Sequence, residues 1–123
     1  MNRPKILYVD DEPINLMLFE ANLEKQYHVL TAVNGTEGLK MISRNNDIRV
    51  VISDMRMPVM NGIEFVKKAR QSFETICCYY ILTGYDVSDE IQHALDTGLI
   101  RRYFSKPFNI NEISSEIEKV INE

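Results

Sequence analysis

Only two of the 123 residues are cysteine, and they stand side by side as Cys77 and Cys78 inside an apolar stretch. Adjacent cysteines form neither a disulfide framework nor a spaced metal-ligand pair. They read as small buried hydrophobes, which fits a reducing, cytoplasmic setting. The two histidines, His28 and His93, belong to no metal-ligand pattern and are expected to face solvent. No apolar run approaches the ~20 residues that cross a bilayer. Met1-Asn2-Arg3-Pro4-Lys5 leads straight into an apolar strand, so no signal-peptide core is expected. Basic residues are outnumbered, 14 Lys and Arg against 18 Asp and Glu. A net charge of -4 argues against nucleic acid as a partner, because phosphate backbones reward a basic face. Internal repeats, low-complexity tracts and linkers are missing as well.

What is present is an ordinary globular composition, 45% hydrophobic and 26% charged. The length suits one domain over residues 1–123, with its core from about 5 to 121. The most informative stretch is Val50-Val51-Ile52-Ser53-Asp54-Met55-Arg56-Met57-Pro58-Val59-Met60-Asn61-Gly62. An apolar, β-branched run ends in one carboxylate, and a loop punctuated by Pro and Asn-Gly follows. A strand buried on both faces reads this way.

Around it, strands and helices alternate. Lys5 to Asp10 is a short strand ending in acid, and Pro13 suits the first turn of a helix to about Lys25, with Leu16, Phe19 and Leu23 inward. His28 to Val33 alternates as a half-buried strand, and Thr36 to Arg44 is helical with Leu39 and Ile42 inward. Ile48 to Ser53 is the central strand. Asn61-Gly62 opens a third helix carrying Ile63, Val66 and Ala69 inward and ending near Arg70. Ile76 to Thr83 is a fully apolar strand. Asp86 or Ser88 caps a fourth helix with Ile91, Ala94 and Leu95 on one face and Gly98 just past its end. Arg101 to Ser105 is a fifth strand. Asn109 caps the last helix, with Glu112 placed for a capping box and Ile110, Ile113, Ile117 and Val120 in one stripe. Five alternations with short loops predict a doubly wound α/β domain, a parallel sheet with helices on both faces.

In such a sheet the carboxyl ends of all strands share one rim, where open α/β folds keep their sites. Here that rim carries Asp10, Asp11, Asp54, Thr83 and Lys106. Crowded carboxylates repel one another, and a divalent cation relieves that repulsion. Hard oxygen ligands with room for water describe a Mg²⁺ site that also accepts a phosphate oxygen. Lys106 supplies a positive charge and Thr83 a hydroxyl donor for a phosphoryl group, with a carboxylate as nucleophile.

The motifs Val9-Asp10-Asp11-Glu12-Pro13, Ser53 to Gly62, Leu82-Thr83-Gly84 and Ser105-Lys106-Pro107, in this order, resemble the receiver domain of two-component response regulators. The resemblance covers Lys5 to about Ile121. It implies a flavodoxin-like (βα)5 sheet with strand order 2-1-3-4-5 and Asp54 as the phosphoacceptor. Asp10 and Asp11 would hold Mg²⁺ together with Asp54 and the backbone carbonyl of Arg56. Thr83 and Lys106 would contact the phosphoryl group. Thr83 and Tyr103 would form the family's hydroxyl–aromatic switch, and Lys106-Pro107 would be a cis bond. The implied partners are a histidine kinase or phosphotransfer protein and a downstream output domain or protein. The implied signalling face is the fourth helix (Ser88–Thr97), fifth strand and last helix (Asn109–Asn122), also used for dimers on phosphorylation. Read without the family, Tyr103 is a half-buried sheet aromatic, and Arg101-Arg102 is a solvated edge or part of an interaction face. The methionines at 55, 57 and 60 read as loop packing.

Three positions near the site are this chain's own. The Arg56 guanidinium is expected to reach Glu12 or the phosphoryl mouth, and with Tyr85 to hinder hydrolytic water. Gly84 stands where the family more often has alanine, and both are small enough to leave room for phosphate. A phosphorylation switch without turnover of an external substrate is thus the leading expectation. A phosphorylation-independent binding scaffold is the alternative. An aspartate-nucleophile phosphatase is disfavoured, because Arg56 occupies the place of its second acid.

Overall fold

The computed structural model describes residues 3–73, 78–84 and 87–122. Its elements run β1 (Lys5–Val9), α1 (Pro13–Leu23), β2 (His28–Ala32), α2 (Gly35–Arg44), β3 (Ile48–Asp54), α3 (Gly62–Ser72), β4 (Cys78–Thr83), α4 (Asp89–Asp96), β5 (Arg102–Ser105) and α5 (Ile110–Ile121). The strands pair in parallel in the order β2-β1-β3-β4-β5, as the resemblance implies. Expected boundaries hold to within about two residues, except that Ile76, Cys77 and the alternative cap Asp86 lie outside the described residues.

The sheet has two apolar faces because successive strand side chains point to opposite sides. Ile6, Tyr8, Val50, Ile52, Cys78, Tyr80, Leu82 and Phe104 meet Leu16, Phe19 and Leu23 of α1 and Ile113, Ile117 and Val120 of α5. Leu7, Val9, Val51, Tyr79 and Ile81 meet Ile42 of α2, Ile63, Val66 and Ala69 of α3, and Ile91 and Ala94 of α4. The inward stripes expected for all five helices are thus buried or half-buried. Met57 and Met60 are buried and Met55 packs against the core cluster they belong to, so these methionines fill the loop as expected.

Local chemistry explains where helices start. Pro13 opens α1 at a position where its missing N–H costs nothing. Asn34, Asn61, Ser88 and Asn109 each accept from a backbone N–H of the first turn. The full capping box, however, belongs to α3, where Asn61 and Glu64 bond reciprocally at 2.9 Å. At α5 only half of the expected box forms. Glu112 instead pairs with Arg102 at 2.7 Å, since a guanidinium competes well for a carboxylate. Gly98 closes α4 at φ 76°, where glycine carries no Cβ penalty.

Arg101 and Arg102 are not simply a solvated edge. Both guanidinium groups lie 3.4 Å from Glu116, a buried carboxylate that also accepts from the Tyr80 hydroxyl at 2.8 Å. These contacts tie β5 to α5. His28 and His93 are exposed, and Cys78 is buried; Cys77 lies outside the described residues.

Two residues pull against the fold. Val59 is fully exposed with φ 71°, a left-handed conformation that costs an L residue about 1–2 kcal/mol and suits asparagine better. Val59→Asn is expected to raise unfolding free energy by about 1 kcal/mol in urea, and a loss of stability would refute the strain. The Tyr79 hydroxyl is buried without a hydrogen-bond partner, while its ring lies under the Arg70 guanidinium at 5.0 Å. Tyr79→Phe keeps the ring and removes the orphan. It is expected to stabilise by about 1 kcal/mol, and a clear destabilisation would show that the hydroxyl has a bond after all.

Candidate functional site

The parallel register brings the strand ends together. Val9 pairs with Ser53, and Asp54 with Leu82, so Asp10 and Asp54 leave adjacent strands at the same level. Backbone bonds then aim the loops. The Asp10 N–H donates to Ala32, Met55 N–H to Leu82, and Gly62 N–H to Met55. The Lys106 N–H donates to the Thr83 carbonyl at 2.8 Å, which seats the lysine beside β4; the Lys106–Pro107 bond is cis. A side chain at Gly62 would strike the Asp54 carbonyl oxygen, so glycine is what lets α3 begin this close to the rim.

Asp10, Asp54 and Thr83 are buried, and Asp11 is half-buried. One carboxylate oxygen from each of Asp10, Asp11 and Asp54 lies within 4.8 Å of the others. Lys106 Nζ is 2.9 Å from Asp54 Oδ1. Asp11, Glu12, Asp54, Met55, Arg56, Thr83, Gly84 and Lys106 line one open cleft of about 360 Å³. The five residues of the expected rim thus converge, and Glu12 and Arg56 share the mouth with them. Tyr85 lies outside the described residues. Tyr103 is half-buried and packs against the core on the α4 side of the sheet, one strand away from Thr83.

Sequence reasoning passed over two residues. Tyr8 sits two places before Asp10 on the same side of β1 and donates its hydroxyl to Asp10 Oδ2 at 2.5 Å. Asn15, on the first turn of α1, donates to the same oxygen at 3.1 Å. The Glu12 N–H donates to Asp10 Oδ1 at 2.9 Å. Burial, then the bond to Asp10, pushes the Tyr8 phenol far above its ordinary value, so it stands as a donor. The signal was a lone tyrosine in a strand whose other interior residues are aliphatic.

The donor set is all hard oxygen, clustered and partly open to the cleft, and it suits Mg²⁺. The electrostatics agree. Burial pushes the Asp54 carboxyl above the usual range; the Lys106 hydrogen bond opposes this, and the Asp10 and Asp11 charges add to it. A carboxyl whose folded pKa is raised holds its proton more tightly in the folded chain than in the unfolded one. Stability is therefore lost as pH rises from the unfolded value, about 3.9, through the folded one. Without divalent cations, the stability difference between Asp54→Asn and wild type is expected to move in favour of the variant from about pH 4 toward neutrality. A difference in Tm that stays flat across that range would remove the electrostatic strain from this account.

The comparisons with known proteins agree with this geometry. The family model described as "Response regulator receiver domain" matches residues 6–118. The "Sporulation initiation phosphotransferase F" of Bacillus subtilis is 34% identical over 98% of this chain and 96% of its own length. The "Alkaline phosphatase synthesis transcriptional regulatory protein PhoP" of the same organism is 33% identical over 98% of this chain, which spans 49% of that protein. Among solved structures, a response regulator receiver domain protein from Clostridium thermocellum superposes with a TM-score of 0.87 at 35% identity, covering 96% of this chain and 94% of its own. Sequence match, strand order and the acidic rim converge on one conclusion: this chain belongs to the response regulator receiver domain family.

Proposed function

We propose that this chain, as a single receiver domain, is a signalling switch that accepts a phosphoryl group on Asp54. The donor is a phosphohistidine of a histidine kinase or phosphotransfer protein, or a small phosphodonor. An Asp54 carboxylate oxygen attacks phosphorus as the bond to the donor breaks, leaving an acyl phosphate. The observation that carries the reading is the convergence of three carboxylates within 4.8 Å, with the Lys106 ammonium 2.9 Å from Asp54.

Asp10, Asp11, Asp54 and the Arg56 backbone carbonyl would hold Mg²⁺, which when bound neutralises charge on the transferring group. Lys106 already pairs with Asp54 Oδ1 and passes to a phosphoryl oxygen once the carboxylate is phosphorylated. Thr83 donates its hydroxyl to the same group from the end of β4. Arg56 and Glu12, which share the cleft, and Tyr85 tune the approach of hydrolytic water.

Phosphorylation then shifts a two-state population, because the phosphoryl group makes new contacts in one state only. Thr83 moves toward phosphate and Tyr103 turns inward behind it. The readout runs through α4, β5 and α5 to an output domain or protein, with dimerisation as one form of it. This is self-directed chemistry without turnover of an external substrate, in the cytoplasm. Among the described residues no helix is long and apolar enough to cross a membrane.

Intact mass after incubation with Mg²⁺ and acetyl phosphate tests the reading. One added phosphoryl group that needs Mg²⁺ and is absent from Asp54→Asn is expected. Lys106→Ala should slow its formation by about tenfold or more, since it removes a donor from the developing charge. An adduct persisting in Asp54→Asn would assign another acceptor. No adduct in wild type would favour the phosphorylation-independent scaffold.

A further inference from the structure

Tyr8 is wholly buried in β1, where Ile6, Leu7 and Val9 show that the core asks only for aliphatic volume. A phenol at such a place needs an acceptor, and the one it uses is Asp10 Oδ2, at 2.5 Å. Its ring is held on both sides: stacked on Phe19 at 4.3 Å and 20°, and edge-on to Phe108 at 6.4 Å. The hydroxyl therefore cannot swing away without unpacking the α1 side of the sheet.

Hydrogen-bond accounting at Asp10 gives this arrangement a consequence. An ionised carboxylate offers about four lone-pair positions. Oδ2 spends two on Tyr8 and Asn15, and Oδ1 spends one on the Glu12 N–H. Oδ2 is saturated, and Oδ1 keeps a single open position. Asp10 is completely buried, so water cannot take the place of these donors or reorient the group cheaply.

We propose that Tyr8, with Asn15, is a positioning residue for the cation site: by saturating Asp10 Oδ2 it holds the carboxylate so that Oδ1 faces the divalent ion. This rests on the Mg²⁺-dependent reading above and adds to it the residues that orient its buried acid. Donors behind a ligating carboxylate commonly govern affinity by ten- to hundredfold.

Calorimetric titration of the full chain with Mg²⁺, without any phosphodonor, tests the assignment. Tyr8→Phe removes only the hydroxyl and keeps the stacked ring. Tyr80→Phe removes another buried hydroxyl on the same sheet face, one that donates to Glu116, away from the acids. Tyr8→Phe is expected to weaken the Mg²⁺ Kd by about tenfold, and Tyr80→Phe to leave it within about twofold. Asn15→Ala, at a half-buried position, should weaken it in the same direction by less. An unchanged Kd in Tyr8→Phe overturns the proposal, as does equal weakening in Tyr8→Phe and Tyr80→Phe, which would mean general loosening. If Tyr8→Phe does not fold, an unchanged Kd in Asn15→Ala overturns it. Wild-type protein that binds no Mg²⁺ would instead overturn the functional reading itself, a result distinct from binding that ignores Tyr8.

Discussion

Three carboxylates held within 4.8 Å of one another form the constraint on which the rest of this structure depends. Left to themselves, Asp10, Asp11 and Asp54 would separate or bind protons, and burial makes both charges and proximity more costly. They stay together because the strands beneath them cannot move. β1 and β3 lie at the centre of the sheet, paired on both sides and covered on both faces by apolar side chains. Hydrophobic burial at the middle of the molecule thus holds electrostatic repulsion at its edge. One ammonium, Lys106, relieves part of it in the absence of a metal ion.

The alternation of strand side chains organises what surrounds the acids. Tyr8 and Asp10 share a side of β1, and Asp54 and Lys106 continue the same side of β3 and β5, toward α1 and α5. Thr83 and Tyr103 continue the opposite side, toward α4. The rim therefore has a rigid half, built on buried donors and aromatic stacking, and a half that faces the helix expected to take part in signalling. The ion pairs joining Arg101 and Arg102 to Glu116, and Arg102 to Glu112, fasten α5 to β5 on the far side of the edge strand.

Much of this was legible in the chain. Apolar runs, Asn and Ser caps and strand-ending polar residues led to five strands, five helices and the five residues that meet at the rim, because each of those signals is local. Periodicity reports burial, and a residue that ends a parallel strand must lie on the carboxyl edge. Local signals failed where two candidates competed for one partner. Glu112 satisfies the spacing of a capping box, yet it is drawn to Arg102, and the complete box formed at Asn61 and Glu64 instead. Arg101-Arg102 likewise reads as a solvated edge or part of an interaction face, and no local signal shows that α5 presents Glu116 to both guanidinium groups.

What the sequence by itself determined is the order of elements, their faces and the identity of the acids, the hydroxyl and the lysine, since these follow from periods of about two and 3.6 residues and from where each run stops. What only the tertiary structure decided is how those groups are held: that Tyr8 reaches up to Asp10, that Asn15 joins it from α1, and that Lys106 closes on Asp54 from β5. The physical reason is distance along the chain. Hydrogen bonds and ion pairs between elements depend on register and crossover geometry, which no short window of sequence contains.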